Sequence, residues 1–299
     1  MAGYRLMQGI SWVICHQPEK LNKALAYCLG HLGWHVVPRW RRYMAKENIK
    51  DCLGVEDQQA AQIARESVIR FGRMLIEVLK YPLLTKDNFR SLVKFDGLEH
   101  LESAYAENKG VLMCTAHYGN WEMLGASMAL LGYPILSITR KQNNGDMDRF
   151  INDYRQMVGQ HVTYNHGKNS ILTIGRYLKQ KRLIGILYDQ DSAHTGTHLS
   201  FFHKPSRVPN GAAHLSRMFD APIVPLFMHN NPDGTLTAKI YPSIHAAKTA
   251  DREADVRVIM EKLIAIVEQE IRVDPAMWFW VHDRWKDGKK RYKQYRKGV

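Results

Sequence analysis

Residues Gly110–Glu122, GVLMCTAHYGNWE, decide how the rest of the chain is read. The apolar run Val111 to Ala116, opened by the helix stopper Gly110, has the length and make-up of a fully buried strand. His117, Tyr118, Gly119 and Asn120 interrupt it, and Trp121–Leu131 resumes at helical spacing. Asn120 is placed to cap that helix, and Glu122 falls in its first turn, where a carboxylate meets the positive end of the dipole. His117 therefore sits at the carboxyl end of a strand, where open α/β sheets bind their ligands.

The spacing of His117 and Glu122 has a chemical reading. On a continuous helix five residues turn the chain through about 500°, leaving the two groups about 140° apart. A strand-to-helix turn can instead bring the carboxylate beneath the imidazole. One ring nitrogen is then held protonated and the other is left as a base, the logic of a serine-protease triad without its serine. A buried histidine beside an ordinary first-turn acid satisfies the same spacing, so the pair alone leaves both readings open.

At 299 residues the chain can bury a large core as one α/β domain. Cys15, Cys28, Cys52 and Cys114 show no C-x-x-C spacing, which points to a reducing compartment and no structural zinc. Cys114 reads as a small buried apolar residue. The net charge of +13 is unevenly placed. Residues 1–50 carry eight Lys/Arg against two acids, residues 272–299 nine against three, and the body between is nearly neutral. Basic ends suit an anionic membrane surface, an acidic carrier protein or a phosphorylated substrate. Nucleic acid is the rival partner, and a non-catalytic basic membrane- or nucleic-acid-binding protein the rival class, but no recognised binding motif accompanies the charge and no nucleic acid is assigned.

The longest uncharged run, Met123–Thr139, spans 17 residues and is broken by Gly132 and Pro134, so it is too short and too interrupted to span a bilayer. No small-residue cleavage site follows the N-terminal apolar stretch, and no secretory signal is expected. Residues 4–16 and 20–37 predict one or two helices in a membrane interface, with Trp12, Tyr27, Trp34 and Trp40 at headgroup depth and Arg39, Arg41 and Arg42 behind them. A helical hairpin packed on the domain fits the same residues. The division expected is 1–50 for membrane-associating helices and 51–299 for the catalytic domain.

Further along, Glu56–Lys80, Gly97–Asn108, Asp146–Gly159, Ser170–Gln180, Gly211–Phe219 and Val256–Ile271 predict helices. Pro134–Thr139, Leu183–Tyr188, Ile223–Met228 and Leu236–Tyr241 predict strands, the last two joined as an antiparallel hairpin by Asn231-Pro232-Asp233-Gly234. Such alternation indicates an α/β fold with a mixed β-sheet flanked by helices.

No Gly-x-Ser-x-Gly elbow, phosphate loop or GxGxxG is present, which argues against serine hydrolases, P-loop enzymes and dinucleotide oxidoreductases. Asp189-Gln190-Asp191, with His194, His198 and His203 nearby, has the ligand types of a divalent-metal site but also the polarity of any loop after a strand; no metal is assigned to it. Asp189 and Asp191 follow a buried strand and are expected to face the same crevice as His117.

The AHYGNWE block resembles the H-x4-D/E block of the lysophospholipid acyltransferase superfamily, and the wider chain resembles its late lipid A acyltransferase branch. Thr139-Arg140 with Asn143, Arg155 and Gly159 is similar to the branch's R…N…R-x-x-x-G segment. Asp189-Gln190-Asp191 is similar to its D-x-D loop, Phe201-Phe202 with Pro205 and Gly211 to F-F-G-x-P…G, and Pro222 with Pro225 to its proline-containing strand. Trp280-Val281-His282-Asp283-Arg284-Trp285-Lys286 is similar to W-x-H-x-R-F/W-K. Lys204 stands where the branch has glycine, and Arg207-Val208 where it has small hydroxyl residues.

The resemblance implies a glycerolipid acyltransferase-like fold and direct transfer of a fatty acyl chain from an acyl carrier protein or coenzyme A thioester to a hydroxyl of a lipid A precursor, without a cofactor. Within the same fold the alternative acceptor is a phosphatidylinositol mannoside or a glycerolipid. It implies His117 as the base and Glu122 as the group orienting it. Arg140, or backbone N–H groups around Gly119 and Asn120, would stabilise the oxyanion. Asn143, Asp189 and Asp191 would bind substrate, and Arg155 would meet a phosphate or serve the structure. Met123, Leu124 and Met128 would line an acyl pocket, a place that core packing explains equally. The glycolipid acceptor places the protein at the cytoplasmic face of a bacterial inner membrane.

Overall fold

The computed structural model describes residues 2–164, 168–192 and 196–297. The chain opens on helices α1 (Ala2–His16), α2 (Glu19–Val36), α3 (Arg39–Leu53) and α4 (Asp57–Leu79). Pro18 and Pro38 stand at the N-caps of α2 and α3, breaking each helix from the one before, and Gly54 ends α3 in the left-handed conformation at φ 67°. Helices α2 and α4 touch backbone to backbone: a Cβ on Gly30 would lie 2.6 Å from the Ile69 main chain.

Next come α5 (Phe89–Leu92), β1 (Val93–Asp96), α6 (Leu98–Ala106), β2 (Val111–Thr115), α7 (Trp121–Leu130), β3 (Ile135–Thr139), α8 (Gly145–Met157) and β4 (Gln160–Tyr164). They are followed by α9 (Lys168–Lys179), β5 (Leu183–Leu187), β6 (Thr197–Phe201), β7 (Lys204–Val208), α10 (Gly211–Phe219), β8 (Ile223–Asn230), β9 (Leu236–Ile240), α11 (Arg252–Val273) and α12 (Gly288–Lys297).

Among the described residues the main sheet runs β1-β9-β8-β2-β5-β3-β4, with β6 and β7 forming a separate hairpin. All neighbours in the main sheet are parallel except β8 and β9. The mixed sheet flanked by helices is the expected class. Strand β2 is central, so its side chains enter two cores. Leu112 and Cys114 pack with residues of α9, α10 and α11, while Val111 and Met113 pack with α6, α7 and α8. That two-sided burial is why its sequence is an unbroken apolar run.

The predicted helices and strands recur within a few residues of their expected ends. Elements without an expectation are α3, α5, β1, β4, β6, β7 and α12. Helices α1 and α2 pack on the body through one side, with the Tyr4 hydroxyl donating to Asp153 (2.7 Å) and Ser11 to the Leu79 carbonyl (2.6 Å). Their other side exposes Leu6, Ile10, Val13, Leu21, Leu29, Leu32 and Val36. Among the described residues no helix is long and apolar enough to cross a membrane.

Candidate active site

Strands β2 and β5 are in parallel register, Thr115 opposite Leu187, so the chain leaves both strands at the same edge. Two residues beyond those partners stand His117 and Asp189. The His117 ring places Nδ1 2.8 Å from Asp189 Oδ1, and the His117 backbone N–H donates to Asp189 Oδ2 at 3.1 Å. Trp278 Nε1–H donates to the same Oδ2 at 2.8 Å. The Asp189 side chain is 1% exposed. Burial opposes its charge, but His117 and the two N–H donors outweigh that, holding its carboxyl below the usual carboxylate range. An acceptor-only carboxylate on Nδ1 fixes that nitrogen as the protonated one and leaves Nε2 with a free lone pair that can accept a proton. The His117 side chain is 24% exposed, so the ring remains accessible.

The turn is clamped from the C-terminal side of the chain. Gly119 N–H donates to the Met277 carbonyl (2.9 Å) and Phe279 N–H to the His117 carbonyl (3.1 Å). Gly119 has φ 58°, and a Cβ there would lie 1.9 Å from the Met228 carbonyl oxygen, so no other residue fits. Trp121 sets its ring edge-to-face against His117, centroids 5.0 Å apart, and Phe71 and Phe279 complete an aromatic wall.

Asn120 is the N-cap of α7: its carbonyl oxygen accepts from Met123 N–H (2.8 Å), while its amide donates to Glu77 Oε2 of α4 (2.5 Å). Glu122 does not meet the imidazole in the expected way. Both of its oxygens are taken by Arg155 of α8, Nε at 2.9 Å and Nη2 at 2.5 Å. The carboxylate on the ring is that of Asp189, because the turn points His117 toward β5 while the first turn of α7 carries Glu122 toward α8. Arg155, expected to meet a phosphate or to serve the structure, spends its fork on this pair. Burial works against the Arg155 charge, but Glu122 raises its pKa above the ordinary value.

The other expected residues lie around the same sheet edge. Arg140 and Asn143 are exposed beyond the end of β3, which β5 separates from β2. Asp191 has one oxygen 3.7 Å from Lys286 Nζ. Met123 lines a cavity of about 860 Å³ between α2, α4 and the β8–β9 turn, whose apolar walls include Ala26, Ile69, Ile76, Tyr81 and Leu236. Leu124 and Met128 are buried in the core instead, behind Met123 on α7. His194 lies outside the described residues, and among the described residues no group of three or more His, Cys, Asp and Glu could hold a metal ion. Burial pushes the Cys114 thiol well above its usual pKa, which removes it as a nucleophile.

Three residues that the sequence did not single out, Trp278, Phe279 and Glu77, hold the turn. His282, from the segment resembling W-x-H-x-R-F/W-K, lies within electrostatic reach of His117 and Asp189. Burial, joined by Lys286, His117 and Arg284, drives the His282 imidazole down to about 4, so it stays neutral. Beneath the turn Tyr118 meets His229 Nδ1 (3.5 Å), and His229 Nε2 lies 2.6 Å from the buried carboxylate of Glu270.

The family model described as bacterial lipid A biosynthesis acyltransferase matches residues 2–287. A phosphatidylinositol mannoside acyltransferase of Mycobacterium tuberculosis (strain ATCC 25618 / H37Rv) is 24% identical over 286 residues, 87% of each chain. A lipid A biosynthesis palmitoleoyltransferase of Escherichia coli (strain K12) is 24% identical over 282 residues, 93% of this chain and 89% of its own. The lipid A biosynthesis lauroyltransferase of the same organism is 20% identical over 281 residues. With the family model matching nearly the whole length, the chain belongs to the bacterial lipid A biosynthesis acyltransferase family, as an acyltransferase.

Proposed function

We propose that the protein moves a fatty acyl chain from a thioester, on acyl carrier protein or coenzyme A, to a hydroxyl of a lipid A precursor. The observation that carries this is the His117 ring, anchored through Nδ1 on buried Asp189 and open to solvent beside an aromatic wall. Nε2 takes the proton of the acceptor hydroxyl as its oxygen attacks the thioester carbonyl; the thiolate leaves and the proton returns to it or to water. Asp189 keeps the tautomer and stabilises the imidazolium. Backbone N–H groups near Gly119 and Asn120, or Arg140, meet the oxyanion, with Asn143 and Asp191 on the acceptor side. Glu122 acts through Arg155, tying α7 to α8. The cavity at Met123 holds an acyl chain.

The exposed apolar sides of α1 and α2, within residues 1–50, lie in the membrane interface with Arg5, Lys20 and Lys23 against anionic lipid, at the cytoplasmic face of an inner membrane. Purified protein given acyl-carrier thioester and a tetraacylated precursor is expected to yield, by mass spectrometry, a product heavier by one acyl group. Release of free fatty acid with no acceptor modified would overturn the transferase reading. The similarity to phosphatidylinositol mannoside acyltransferases supports a second reading, in which acylation of a mannoside acceptor, and not of the precursor, moves the assignment within the same chemistry.

A further inference from the structure

The two basic ends of the sequence become one surface. Helix α12 crosses α3, where Gly288 is buried because a Cβ there would sit 2.4 Å from Met44 Sδ. Tyr43 stacks on Tyr295 (centroids 4.6 Å, 26°), and Arg291 reaches Asn48 (3.0 Å) and Asp51 (3.0 Å). Helix α3 carries five Lys/Arg against two acids and α12 six against none. Lys46 and Lys50 are satisfied by Asp57, whereas Lys289, Lys290, Lys293, Arg296 and Lys297 are exposed.

This face begins at the lip of the His117 crevice. Arg41 donates to the Val281 carbonyl (2.8 Å), two residues beyond Phe279, whose N–H holds the His117 carbonyl. Lys286 reaches Asp191, two residues beyond Asp189. Large exposed apolar side chains cluster on α1 and α2, and α12 exposes only Tyr295, so a bilayer has nothing to bury there. A soluble nucleotide thioester needs a concave pocket, while a broad cationic face suits the acidic helix of a protein.

We propose that the joined outer faces of α3 and α12 dock an acidic, helical carrier protein that delivers the acyl thioester to His117. The inference rests on the acyltransferase reading and assigns the face on which a carrier-borne donor docks. Complementary charge raises encounter rates by about 10–10³-fold and is screened by salt.

The test uses the full chain and its K290E/K293E/R296E/K297E variant, checked for an unchanged circular dichroism spectrum and melting temperature. Fluorescent acyl carrier protein is titrated into each, and turnover is followed with acyl carrier thioester and with the same acyl group on uncharged pantetheine. Expected are at least about tenfold weaker carrier binding, a flattened salt dependence and a raised KM for the carrier donor, with pantetheine turnover and vesicle sedimentation unchanged. Equal carrier affinity in both proteins, an equal loss with both donors, or a loss of vesicle binding instead, would overturn the docking surface. Absence of transfer by the wild-type chain from either donor would overturn the acyltransferase reading itself, a result visible before the variant is assayed.

Discussion

At the scale of single residues the His117 ring and the carboxylate on it are separable from the second acid. His117→Ala removes the proposed proton acceptor and is expected to lower kcat by about 10²–10⁴-fold, with the circular dichroism spectrum unchanged. Asp189→Asn keeps the shape but supplies an amide that can hold the wrong tautomer; a drop of about 10⁴ is expected, measured as kcat at saturating donor. Glu122→Gln behaves differently. It leaves the Arg155 guanidinium half-paired in a mostly buried place, so the expected cost is about 3 kcal/mol in urea unfolding, with a smaller effect on kcat than Asp189→Asn. A Glu122→Gln variant as stable as wild type but as dead as Asp189→Asn would reverse these roles. The sequence placed Asp189 in the same crevice as His117, since both follow buried strands. It could not give their contact, which depends on the register of β2 against β5 across 72 residues of chain.

At the scale of elements the strand–turn–helix unit was legible because each part has a local cause: two-sided burial for β2, an Asn cap for α7, a glycine at the turn. Asn120→Ala should remove the cap and the donor to Glu77 Oε2, leaving Glu77 only its Arg73 partner, at a cost of about 1–2 kcal/mol in chemical denaturation. Gly119→Ala places a methyl on the Met228 carbonyl, and the measurable outcome is loss of soluble expression or of turnover. Helix α3 was harder to see. Its sequence RWRRYMAKENIKDCL is basic on most sides, and its buried Met44, Ala45, Asn48, Ile49 and Cys52 form a narrow seam with a polar member. Strand β4, QHVTY, lies at the sheet edge and has too few apolar residues to announce itself.

At the scale of the whole molecule, Glu270 joins the hairpin β8–β9 to α11. It is fully buried and bound by His229, Lys239 (2.8 Å) and Tyr241, which overcome the cost of burial and hold its pKa at about 2. A depressed carboxylate pKa gives stability that is present above the unfolded value and lost as pH falls through the folded one. Between pH 4.5 and 2 the protein should lose on the order of 3 kcal/mol from this group, a slope that Glu270→Gln should flatten in urea titrations. The segment 277–279 has a consequence for synthesis. It comes off the ribosome more than 150 residues after His117, yet it supplies the groups that hold His117 and Gly119 in place. A nascent chain thus carries the His117–Gly119 turn unclamped through most of its translation, and the candidate site is complete only once 277–279 has folded back across it.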